Sequence, residues 1–188
     1  MELVEGVATV EDLDAFVARL GAIGDEHDVT VQAFDARYVV ERAHLRRAVE
    51  LADRALARGE NVARDRAVEI LLYAAGTRQI DRALELGVSE GEGPTIVLVD
   101  AGDGGESGRG GEAQAAPTET AAAAERRAAA AVRDVEGPGR IEPAETLGAY
   151  DARRVREYFD VSDAELDAVE GTLADTVGER VALLDVEK

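Results

Sequence analysis

Residues Asn61 to Val88 read NVARDRAVEILLYAAGTRQIDRALELGV, a stretch that resolves into two short helical segments hinged at Gly76. In the first, Ala67, Val68, Ile70, Leu71, Leu72 and Ala74 are apolar over more than one face, which predicts a helix buried on several sides rather than docked on a surface. Gly76 supplies the left-handed backbone on which such a helix ends. Thr77 stands where a helix cap is expected, and Ile80, Ala83 and Leu84 repeat at i, i+3 and i+4 to give the second segment one apolar stripe before Gly87 stops it. Thr77, Arg78 and Gln79 gather polar groups at the exposed corner between the helices, so the corner is a candidate binding site.

Upstream, Leu3 to Ala8 predicts a strand and Thr9-x-x-Asp12 matches a capping box. A helix carrying Leu13, Phe16, Val17 and Leu20 follows, with Gly21 and Gly24 as its expected end. Val29 to Phe34 alternates as a second strand, and Glu41 to Arg58 reads as a helix with Leu45, Val49, Ala52 and Leu56 inward. His44 on this helix has no second ligand at metal-binding spacing and is read as a surface or packing residue. Downstream, Thr95 to Val99 is a buried strand, and Thr120 to Val132 an alanine-rich helix. Between them, residues 102–120 are Gly, Ser, Glu, Ala and Pro without apolar periodicity, an expected disordered insertion loop. Its GDGGESGRGG run lacks the Lys-Ser/Thr ending of a phosphate loop. A helix with Val155, Tyr158 and Phe159 comes next. Ser162-x-x-Glu165 then opens a helix with Leu166, Val169, Leu173 and Val177 in one row, and Val181 to Val186 is expected to close the chain as a strand. Strands and helices mixed without regular parallel units predict an α+β single domain over 1–188, a small mixed sheet packed with several helices.

Composition bounds the function. The 188 residues are 46% hydrophobic, without cysteine or tryptophan, so the core is built from Ala, Val, Leu and Ile, and disulfides and thiolate metal sites are excluded. With no basic, apolar leader and no window approaching the roughly 20 apolar residues that span a bilayer, the expectation is a soluble, cytoplasmic protein without membrane contact. The net charge is −19, and Lys188 is the single lysine beside 20 arginines. Acid excess without lysine fits a molar-salt cytoplasm, where repulsion is screened within about 3 Å, and so a haloarchaeal source; the alternative is an acidic chain built for a basic partner. Arg37 to Arg82 departs from this mean, with ten arginines against seven acids. That basic island is a candidate polyanion contact, or else a set of i, i+4 pairs such as Arg46 with Glu50 on solvated faces. No nucleophile stands beside a base and no metal-ligand cluster or nucleotide loop is present, so neither a metal nor a cofactor is expected, and a noncatalytic binding or regulatory role is favoured over an enzyme.

Asn61-Val62-Ala63 followed by Glu69-Ile-Leu-Leu-Tyr73-Ala-Ala-Gly76-Thr-Arg78-Gln79-Ile80-x-x-Ala83-Leu84-x-x-Gly87 resembles the signature segment of the kinase-binding accessory-subunit (TPRKB and archaeal Cgi) family of the KEOPS complex. Val155-Arg-Glu-Tyr158-Phe-Asp-Val-Ser162 and Gly171-Thr-Leu173-Ala-Asp-x-Val177 resemble that family's closing helices. The resemblance implies a noncatalytic subunit of the complex that places threonylcarbamoyl on the adenosine beside the anticodon of tRNA. Such a subunit binds and stimulates a small kinase-like ATPase, meets the other KEOPS subunits indirectly, and helps hold tRNA by its 3′ CCA end. On that footing, the expected tRNA-binding residues are Arg78 and Gln79 as donors and Ile80 as an apolar platform, with Arg64, Arg66 and Arg82 near enough in sequence to line a groove. The competing assignment makes Ile80 core and pairs Arg82 with Asp81 or Glu85. The partner surface is expected on the C-terminal helices at Leu166, Val169 and Leu173, residues that could equally complete the chain's own core. A stand-alone small-molecule-binding or regulatory domain using the hinge pocket is the alternative function.

Overall fold

The computed structural model describes residues 1–102, 120–168 and 171–184. Strand β1 (Glu2–Val10) leads into helix α1 (Leu13–His27) and strand β2 (Thr30–Asp35). A 3-10 turn at Ala36–Tyr38 precedes α2 (Arg42–Arg58), α3 (Arg66–Ala74) and the single-turn α4 (Ile80–Ala83), which a second 3-10 turn at Leu84–Leu86 extends. The chain then runs through β3 (Gly91–Asp100), α5 (Ala121–Arg133) and β4 (Gly139–Pro143) to α6 (Ala152–Phe159), α7 (Asp163–Ala168) and α8 (Leu173–Leu183).

The strands lie in the order β2-β3-β1-β4. β1 and β2 both run antiparallel to β3, and β4 runs antiparallel to β1, so α1 and α5 each cross over between two strands separated by a third. This is the split βαβ arrangement of ferredoxin-like domains. The α+β class stands, but the sheet is antiparallel throughout rather than mixed, because every parallel-related pair of strands has an antiparallel one inserted between its members. Alternation along the strands divides the core in two. Val4, Ala8, Val10, Val31, Ala33, Val97 and Val99 face α1 and α5, whereas Leu3, Phe34, Ile96 and Leu98 face α2, α3, α6 and α8. β4 sits close on β1 because two glycines leave room: a Cβ on Gly6 would fall 2.5 Å from the Glu142 carbonyl oxygen, and one on Gly139 would fall 2.8 Å from the Phe16 ring.

Several boundaries differ from the sequence expectation. Thr9 belongs to β1, and Asp12 alone caps α1 by accepting from the Ala15 N–H at 2.9 Å. α1 runs through Gly21 and Gly24 to Asp28, whose left-handed backbone (φ 54°) ends it. Gly24 is needed for space instead, since its Cβ would meet the Val29 carbonyl oxygen at 2.7 Å. The first part of the expected closing strand, Val181 to Leu183, is helical, with Thr176, Val177 and Val181 buried on one face of α8, and its last residues, 185 and 186, lie outside the described residues. The single helix expected from Ser162 is two: Thr172 and Asp175 form a reciprocal capping box that starts α8 afresh. At Ser162, by contrast, only the Glu165 N–H to Ser162 Oγ bond forms, at 3.1 Å, and the Glu165 carboxylate pairs with Arg180 at 2.8 Å. Val169 and all of the expected loop except Gly102 and Thr120 lie outside the described residues.

Candidate functional site: the corner after α3

α3 ends at Gly76, which holds φ at 59°. The Gly76 N–H donates to the Tyr73 carbonyl at 3.0 Å and the Thr77 N–H to the Leu72 carbonyl at 3.2 Å, the two bonds of a Schellman stop. A third terminal carbonyl, that of Ala74, lies against His44 Nε2 of α2 at 2.8 Å. The carbonyl can only accept, so Nε2 carries the proton and Nδ1 is a bare acceptor, buried without a partner among the described residues. Burial drives the His44 pKa down to about 4, against the smaller opposing effect of the Ala74 bond. The residue is therefore a neutral packing group, with its ring edge-on to Phe159 at 5.9 Å.

Thr77 does not cap α4 from the expected position. Its hydroxyl accepts from the Gln79 N–H at 3.2 Å, and Gln79 takes the cap position without a side-chain cap bond. This leaves the Gln79 side chain exposed at the corner. Of the apolar stripe of this segment only Ala83 is buried; Ile80 is 44% exposed and Leu84, one turn on, 55% exposed, so the assignment of Ile80 to the core is set aside. Arg78 is half-buried: one terminal nitrogen reaches the Leu184 carbonyl at 3.4 Å, and its Nε is buried without a partner among the described residues. Arg82 turns away from Asp81 and Glu85 to Tyr158 of α6. Its guanidinium lies 5.2 Å from the ring centroid and donates to the Tyr158 carbonyl at 2.5 Å, while the Tyr158 hydroxyl donates to the Arg82 carbonyl at 2.7 Å. Burial raises the Tyr158 pKa to about 12.

At the opposite end of α3, Arg64 is exposed and Arg66 is enclosed by acids. Arg66 donates to both Asp53 carboxylate oxygens at 2.6 and 2.8 Å, to Asp100 Oδ2 at 2.6 Å and to the Asp100 carbonyl at 3.2 Å. Burial acts to lower its pKa, but the two carboxylates outweigh that and the net shift is upward; Asp100 is correspondingly lowered, with Arg66 overcoming the upward push of burial. Asp65 caps the helix through the Ala67 and Val68 N–H groups, and the buried Glu69 carboxylate accepts from the Val62 and Ala63 N–H groups at 3.1 and 2.8 Å. Of the six expected tRNA contacts, then, Arg78, Gln79 and Ile80 meet at one corner. Arg64 and Arg66 lie at the far end of α3, and Arg82 is anchored to α6.

Leu166 and Leu173 are half-buried, pack against the chain's own core, and sit on different helices, so no single helix presents them as a row. Reading the sequence missed the part played by His44, because nothing local reveals that a helix end 30 residues away needs a donor. It also missed the exposure of Leu84, although the i, i+4 spacing from Ile80 placed both on one stripe.

The corner offers hydrogen-bond donors, a guanidinium and an apolar ledge on an α+β scaffold, the equipment of a binding protein. The chain belongs to the family described as kinase binding protein CGI-121, which it matches over residues 7–185. No curated protein matches it in sequence. No helix among the described residues is long and apolar enough to cross a membrane.

Proposed function

We propose that this chain is the noncatalytic, kinase-binding subunit of the KEOPS complex, a cytoplasmic protein that binds and stimulates the kinase-like ATPase and helps hold tRNA by its 3′ CCA end. The observation that carries the RNA half of this reading is the corner at Gly76, where Ile80 stands 44% exposed beside the exposed Gln79 and the half-buried Arg78. Single-stranded nucleic acid is gripped by just such a combination, since unstacked bases lie on apolar or guanidinium planes and expose their edges to donors. Short-range contacts of this kind suit a chain of net charge −19, which long-range phosphate attraction would not favour. Membership in a kinase-binding family supports the other half. Within this assignment Arg66 and Arg82 act as supports that fix the two ends of the segment, and Arg64 remains the exposed cation next to α3.

The test is reconstitution with the kinase-like ATPase. The purified chain alone is expected to hydrolyse no ATP, the kinase alone to hydrolyse it slowly, and the mixture to hydrolyse it faster, with further stimulation when tRNA is added. A kinase whose turnover is unchanged by the chain, with or without tRNA, contradicts the proposal.

A further inference from the structure

An open apolar groove of about 440 Å³ lies between α1, β2 and α3 and reaches Leu84, one turn on from Ile80 of the Gly76 corner. Leu13 and Val17 of α1, Val68 and Leu71 of α3, and Leu84 and Val88 beyond α4 supply its apolar surface. Val17 is 53% exposed and Leu84 55%, the two most exposed large apolar side chains among the described residues, and both border this one groove. Exposed apolar surface gathered along a groove marks an interaction site. Its lining holds two charged residues, Asp14 and Asp65, and no basic one.

The form of the groove limits what enters it. β2 is the edge strand on this side of the sheet, but its edge is blunted twice: Gly87 bridges Phe34, and the Gln32 side-chain amide donates to the Ala33 carbonyl at 2.9 Å. Strand addition is thereby disfavoured, and an apolar groove walled by α1 and α3 suits an amphipathic helix laid between them. Small residues along the lining, Gly21, Ala67 and Gly87, allow close approach. A Cβ built on Gly21 meets nothing within 4 Å. The acid-only rim selects a helix whose apolar row is flanked by lysine or arginine.

We infer that this groove, rather than the C-terminal helices, receives the kinase partner, through a helix of that partner with an apolar row and basic flanks. The inference rests on the kinase-binding reading above. It follows from where exposed apolar surface is gathered: on the C-terminal helices Leu166 and Leu173 are half-buried against the chain's own core and Leu183 is the single exposed large apolar residue among the described ones, whereas Val17 and Leu84, each more than half exposed, border one groove.

The experiment titrates the full chain with the kinase-like ATPase and reads Kd by calorimetry. Val17→Asp and Leu84→Asp, each at a half-exposed position, are expected to leave the melting temperature near that of the wild type and to weaken binding by about 30-fold or more, the scale of a central apolar anchor. Gly21→Leu, which fills the groove from a helical position with open space above it, is expected to do the same while keeping the fold. Asp14→Lys is expected to weaken binding several-fold. If Gly21→Leu and a folded Val17→Asp/Leu84→Asp double variant both bind the kinase as the wild type does, the groove is not the docking site. If the wild type itself shows no binding, the kinase-binding reading falls with it, an outcome distinct from the first.

Discussion

Arg66 opens α3 and Arg78 follows its last turn, and the chain treats these two arginines of one basic segment in opposite ways. Arg66 is held by Asp53 and Asp100, from α2 and β3, with contacts as short as 2.6 Å. Arg78 has one long bond to a backbone carbonyl and a buried Nε without a partner among the described residues. A count of arginines makes the two equivalent. The difference shows that a basic island can be spent in part on joining elements of the fold, and that the cations left for a ligand are those whose hydrogen-bonding capacity the chain does not itself use.

The contrast is broken most directly at Arg66. Arg66→Ala leaves the largely buried Asp100 facing Asp53 with only the Met1 ammonium, 3.4 Å from Asp100, as a neighbouring cation, and the expected loss is about 3 kcal/mol, the lower end for breaking a buried pair because that ammonium remains and Arg66 keeps some solvent contact. Arg64→Ala, two residues before it and exposed, is expected to stay within about 0.5 kcal/mol. Urea unfolding of the two variants side by side gives the comparison, and equal small losses would mean that the acids do not hold α3.

The Gly76 end is sharpened by pH. His44 titrates near pH 4 in the folded protein and near 6.5 when unfolded, so below pH 6.5 the unfolded chain binds the proton that the folded one refuses. Stability is expected to be unaffected by this residue above pH 6.5 and to fall as pH drops toward 4, by about 2 kcal/mol at pH 5. Melting temperatures between pH 7 and 5 read the slope, and His44→Gln, which keeps a donor for the Ala74 carbonyl, should flatten it. A slope unchanged by that substitution would show that His44 is not the titrating group.

Smaller effects are expected at the next two positions. Tyr158→Phe removes one hydroxyl bond to the Arg82 carbonyl and should cost about 1 kcal/mol in chemical unfolding. Ile80→Ser should change stability by no more than about 0.5 kcal/mol, because the side chain is half in water already. A large loss there would return Ile80 to the core.

Much of the fold could be read from the sequence because its signals were local. The Gly76 hinge, the α2 stripe and the buried strand at Thr95 to Val99 each announce themselves by spacing. β4 escaped because only Gly139 and Ile141 of its five residues are buried, too little alternation to mark a strand. Val181 to Val186 suggested a strand by its aliphatic and β-branched content, but the capping box at Thr172 sets a helical frame that places Val177 and Val181 one turn apart on a buried face. The corner itself was legible as a gathering of polar residues at a helix stop. The state of each arginine was not, since Asp100 lies 34 residues from Arg66 and Tyr158 lies 76 from Arg82, separations that only the folded chain closes.

The central claim, that the corner after Gly76 holds the 3′ end of tRNA, is tested most directly by one binding matrix: wild type and Arg78→Glu, each titrated with intact tRNA and with tRNA trimmed of its CCA end. Wild type is expected to bind intact tRNA about tenfold or more tighter than the trimmed form, the scale of losing one stacked base, and Arg78→Glu to bind both forms at the trimmed level. Intact and trimmed tRNA bound alike by the wild type, with Arg78→Glu matching it on both, would contradict the claim and leave Arg78 as surface charge.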